Sequence, residues 1–195
     1  MKRILLIIPV CCIALLVCCS PLFLLFLASV QTHSTNIEEY GTFDYCVQEW
    51  ETDFFPQLDK NIMSNFIYSY HADCGIDCAH EIYLEFTIEN EDAFRKFVTE
   101  NQNRILQNNE TAFVQTSKYD DEYTEVVIED MIQTRTYEDQ LVIDSASIRK
   151  LMYNQTSHSV IFVHLYVIDY ARFENYKYID RFHIDPKELP INNNR

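Results

Sequence analysis

One stretch constrains this chain before any other. Lys2 and Arg3 open it, no charged residue follows from Ile4 to Val30, and the next charge is Glu38. As a helix rising ~1.5 Å per residue, that run is roughly 40 Å long. A hydrocarbon core of about 30 Å needs only ~20 apolar residues, so the run spans a bilayer with some tilt. A cleavable signal has an apolar region of only ~7–15 residues and then a small-x-small site. Leu27 and Val30 spoil that pattern around Ala28 and Ser29. Ile4 to Val30 is therefore read as an uncleaved transmembrane anchor. A cleaved signal is one alternative, and a lipoprotein acylated at Cys18 or Cys19 is another, although Val17 stands where a lipobox has Gly or Ala. Pro9 and Pro21 fall within the run, and membrane helices tolerate proline better than soluble ones. The positive-inside rule puts the N-terminus in the cytoplasm and residues 31–195 outside, as a single-pass protein of the cell membrane.

The expected division is an anchor over 1–30, a juxtamembrane linker over 31–52, one extracellular domain over 53–190 and a polar tail over 191–195. Residues 31–195 suffice for one domain with a real core. They hold all 30 acidic residues against 13 of the 15 basic ones, a net charge of −17. Such a surface repels nucleic acid and anionic headgroups, and it suits a basic partner or cations. Gly41 and Gly75 are the only glycines, which excludes a P-loop and a dinucleotide-binding fingerprint.

Hydrophobic periodicity gives the elements. Asn65 to His71 reads as a strand. Glu81 to Ile88 is the clearest one, with Ile82, Leu84, Phe86 and Ile88 on one face and Glu81, Tyr83, Glu85 and Thr87 on the other. The segment between them, Ala72 to His80, is expected to be a hairpin loop turning at Gly75. Asn90 is a good N-cap for a helix over Glu91–Gln107, with Phe94, Phe97, Val98, Ile105 and Leu106 as its apolar stripe. Strands follow at Tyr123–Asp130, Leu141–Ile143 and Ser159–Asp169, the last apolar on both faces and so central. Ser147–Asn154 reads as a strand paired to Val160–Val167, or else as a helix that would give a ferredoxin-like β-α-β-β-α-β order. Phe173 to Ile184 is expected to add an edge strand. The fold class is α+β: a transmembrane helix, then an antiparallel sheet with one main helix packed on one face.

Taken in order, Phe55-Pro56, Tyr68-x-Tyr70, a cysteine-bearing loop before Ile82-Tyr83-Leu84, an acidic helix, Val160–Tyr166 and Leu189-Pro190 form a pattern across residues 53–190. It resembles small membrane-anchored or lipoprotein-like proteins of Gram-positive bacteria with no assigned function. The resemblance implies no catalytic residue, and it favours the strand at Ser147–Asn154.

Chemistry concentrates at His71-x-x-Cys74-x-x-x-Cys78-x-His80. Two thiolates and two imidazoles can make a tetrahedral zinc shell. Alternatively, Cys74 and Cys78 form a disulfide clipping the loop, as an oxidising compartment allows, with Cys46 as the odd thiol, or Cys46 pairs with one of the two and leaves the other free. His158, His164 and Asp169 are the set a hydrolase would draw on. Glu81, Glu85, Glu125 and Glu129 alternate on strands and could line an acidic face able to hold a cation, but exposed exterior positions explain them more simply. Asn109 and Asn154 head glycosylation acceptor triplets.

These readings favour a non-enzymatic, membrane-tethered extracellular domain. It would touch the lipid bilayer through its N-terminal helix and bind a protein partner or scaffold at the envelope, with no cofactor and no nucleic acid. A metal-binding or metal-sensing ectodomain using zinc, and an unrecognised hydrolase, are the alternatives.

Overall fold

The computed structural model describes residues 30–43, 53–74, 79–168, 171–172 and 175–191. Among the described residues seven strands form one antiparallel sheet: β1 Val30–Ser34, β2 Ser64–Cys74, β3 Ala79–Thr87, β4 Phe113–Thr116, β5 Tyr123–Tyr137, β6 Gln140–Asn154 and β7 Ser159–Val167, in the spatial order β1-β2-β3-β7-β6-β5-β4. The α+β class expected from the sequence is what forms. Helix α1, Glu91–Asn108, carries the chain from β3 to the far edge at β4. The meander from β4 to β7 then returns and sets β7 beside β3.

Local chemistry accounts for the elements. Asn90 Oδ1 accepts the Ala93 N–H at 2.9 Å and starts α1. The helix turns Phe94, Val98 and Ile105 onto Ile82, Leu84, Phe86 and Phe162. Asn101, which breaks the apolar stripe, donates to the Phe97 carbonyl. Ser147–Asn154 is the C-terminal half of β6, paired through Tyr153↔Val160 and Leu151↔Phe162, so the ferredoxin-like alternative falls. β5 and β6 are each 15 residues long. Glu138 and Asp139, at φ 48° and 63°, join them in the left-handed conformation that a two-residue hairpin turn demands.

Three expectations are corrected. Val30–Ser34, read as anchor end and linker, is edge strand β1, paired to Tyr70–Cys74. The expected loop Ala72–His80 is mostly strand, since β2 runs to Cys74 and β3 starts at Ala79. Phe173–Ile184 adds no edge strand among its described residues; Lys177–Arg181 is a short helix, α2. Helix α2 and its flanks lay Tyr176, Tyr178, Ile179, Phe182 and Ile184 over Tyr83, Ile148, Met152, Ile161 and Val163. The sheet is thus covered on both faces, by α1 on one and by the α2 segment on the other, which is why β7 carries apolar residues on both of its faces.

No helix among the described residues is long and apolar enough to cross a membrane. The run Ile4–Val30 lies outside them except for Val30.

Candidate functional site

The register settles where each sequence-predicted residue stands. His71 pairs with Glu81 and Ala72 with His80, so His71 and His80 project to opposite faces of the sheet. They cannot both ligate one ion without rearrangement of the hairpin. His71 lies on the α2 face, with its ring centroid 6.2 Å from that of His33 and 5.8 Å from that of Tyr176. Burial lowers its pKa, and His33 adds to this. His80 lies on the α1 face, 5.0 Å from His164 and 5.6 Å from Tyr166, ring to ring. Cys78 and the Cys74 side chain are outside the described residues, among which no group of three His, Cys, Asp or Glu could hold a metal.

The hydrolase set does not converge either. His158, at φ 55° in the turn before β7, stacks on Phe94 at 4.7 Å. His164 is six residues further along extended chain, about 20 Å away. Asp169 is outside the described residues. Of the glycosylation asparagines, Asn154 is only 3% exposed. Its side chain donates to Glu122 and accepts the Thr156 and Ser157 N–H groups. Asn109 is the C-cap of α1 and donates to the Ile105 carbonyl.

Three of the four alternating glutamates, Glu85, Glu125 and Glu129, hold cations, but the cations belong to the chain. Lys150, wholly buried, places Nζ 3.2 Å from Glu125 and 2.9 Å from Asp130. Asp130 also pairs with Lys118 at 3.0 Å. Glu85 accepts from Tyr83 at 2.6 Å and from Arg181 at 3.4 Å. Burial and this carboxylate together push the Tyr83 phenol up. Glu81 accepts the backbone N–H groups of Lys177 and Tyr178. Glu81, Glu85 and Glu125 are therefore not exterior positions: all three are buried, and Glu81 and Glu85 tie α2 to the sheet. Glu129 departs from the pattern, because the bulge between Val127 and Glu129 turns it to the other face beside Arg149.

Among the described residues, the β2 edge is an open feature. Strand β1 covers β2 only from Tyr70 to Cys74. After Ser34 the chain bends away, as Ser34 Oγ accepts the Asn36 N–H, Asn36 caps a 3₁₀ turn over Ile37–Glu39, and Tyr40 donates to the Pro56 carbonyl at 2.7 Å and packs on Tyr68. Among the described residues nothing pairs with the outer edge of Ser64–Ser69. A groove of about 890 Å³ runs along this edge, between it and the α2 segment, lined by His33, Ile67, Ser69, Tyr176, Asp180 and His183 among others. A bulge at Asn65, φ 54°, kinks the start of β2. The sequence gives no sign of this edge, because strand partners are set by tertiary topology.

No family model, no curated protein and no solved structure matches the chain.

Proposed function

We propose that the chain is a membrane-tethered domain displayed outside the cytoplasm, acting at the envelope by binding a protein partner and not by catalysis. The observation that carries this is the sequence run Ile4–Val30, which is free of charge and long enough to span a bilayer as a helix. The charge of −17 over residues 31–195, against Lys2 and Arg3 on the other side, supports the orientation. Committing Glu81, Glu85, Glu125 and Lys150 to interior bonds supports binding over acid–base chemistry.

The test is fractionation of cells expressing the full chain, followed by protease treatment of the intact cells. The chain is expected in the carbonate-resistant membrane fraction, with residues 31–195 cut from outside. A chain released by carbonate, or protected until the cells are lysed, overturns the reading.

A further inference from the structure

We infer that the outer edge of β2 from Ser64 to Ser69 takes an extended, basic segment of a partner protein as an added strand, in line with β1. This rests on the partner-binding reading above and names the partner's chemistry. Three observations carry it. First, the edge is continuous with a pairing the chain already makes: β1 supplies the ladder from Tyr70 to Cys74 and stops at Ser34, so among the described residues β2 offers its outward main-chain groups from Ser69 back to the bulge at Asn65. An unpaired edge of this kind is a template for another extended chain. Second, the groove gives such a strand a wall. Asn175 to Pro186 flanks the edge on the α2 face, and Ile67, 43% exposed, presents an apolar side chain inside it. Alternate residues of an incoming strand would meet this surface, and the others would face outward.

Third, charge selects among occupants. The groove's own Lys177 and Asp180 neutralise each other at 3.1 Å, so the field there is that of the whole domain. At −15 per chain, a second copy docking edge to edge is repelled. A basic segment is drawn in, and its main chain then makes the specific bonds.

The experiment uses the full chain reconstituted in zwitterionic lipid vesicles, first floated on a density gradient. Amide hydrogen exchange is then followed with a blocked Lys-Val alternating hexapeptide, its Glu-Val counterpart, and a Lys-Val peptide N-methylated at alternate residues. The expected result is that the amides within Ser64–Ser69 that point away from β3 slow on the order of tenfold or more with the Lys-Val peptide. Neither the acidic nor the N-methylated peptide should slow them. Equal protection by the N-methylated peptide would show attraction by charge without strand addition, and overturn the proposal. Absence of protection by the Lys-Val peptide overturns it too. Outward-pointing amides already protected without peptide would mean the edge is filled by the chain itself or by a second copy, again overturning it; those directed at β3 are protected in every case and serve as the internal reference. Failure to float sinks the membrane-anchor reading alone; the strand addition is judged on exchange.

Discussion

Glu81 on β3 accepts the backbone N–H of Tyr178 at 2.7 Å, and that of Lys177 at the same distance, so one buried carboxyl holds the start of α2 to a strand 97 residues earlier in sequence. Its pKa is set by two opposed effects: burial raises it, the two amides lower it, and burial prevails, leaving it at about 7 against an ordinary 4.5.

The sign of the pH dependence follows. Between 4.5 and about 7 the folded chain holds a proton on Glu81 that the unfolded chain has lost. Glu81's contribution therefore favours folding below that window, weakens as pH rises through it and is flat above. The span amounts to about 3 kcal/mol at most, at 1.36 kcal/mol per pH unit. Glu81→Gln removes the titration and keeps the shape. Urea denaturation of both proteins from acid to neutral pH should show the variant gaining on the parent as pH rises. A difference that does not change with pH would mean that Glu81 titrates alike in the folded and unfolded chain, burial and the two amides cancelling.

Lys150 has no exposed surface, and its two carboxylate partners are themselves largely buried. With Lys118 included, two cations balance two anions. Truncating one member of such a set leaves a buried charge uncompensated, which costs about 3–5 kcal/mol, whereas replacing a pair by neutral groups of like volume is close to neutral. Lys150→Met should therefore destabilise severely, and adding Glu125→Gln should recover much of the loss. Equilibrium unfolding of both single variants and the double variant measures this; additive losses would show that Lys150 acts through packing alone.

How much of this was legible in the sequence depended on whether a signal was local. The alternation of Ile82, Leu84 and Phe86 fixes β3 and the face that α1 covers, and Asn90 with Phe94, Val98 and Ile105 fixes the helix. The other face of β3 carries Glu81, Tyr83 and Glu85, and polarity suggests exposure there. What buries them is five residues of helix near the C-terminus, too short for a helical period to show. The cation for the acidic residues was equally hidden, since Lys150 reaches Glu125 only because β5 and β6 pair with Val127 opposite Lys150. Of the proposed zinc ligands, spacing brought His71 and His80 together in sequence, while the period of a strand sends them apart.

Cys74 ends β2, and in the ladder just inside it Asp73 stands opposite Ala79, the residue after Cys78. In the extracytoplasmic setting proposed above, cysteines closing so short a connection would form a disulfide in preference to free thiols. Alkylation of the full chain purified without reductant, followed by peptide mass analysis, should leave Cys74 and Cys78 unlabelled until reduction. Labelling of both thiols before reduction would count against the disulfide and, with it, against an oxidising location.

Arg104 on α1 donates to the Asp53 carbonyl at 2.5 Å, to the Phe54 carbonyl at 2.9 Å and to Asn101 Oδ1 at 2.9 Å. It thereby fixes the segment from which Phe54 and Phe55 reach Phe162, at 5.4 and 6.2 Å between ring centroids. A guanidinium serves two carbonyls and an amide oxygen from one planar fork, and an ammonium on a shorter reach does not. Arg104→Lys should cost about 1–2 kcal/mol, the worth of one or two such bonds. Arg95, whose partner Glu91 is an exposed neighbour on the same helix, provides the comparison; Arg95→Lys should change stability by under about 0.5 kcal/mol. Urea midpoints at unchanged slope separate the two. Equal, small losses would mean that the packing of Phe54 and Phe55 alone holds the segment, and that the three hydrogen bonds of Arg104 merely replace bonds to water.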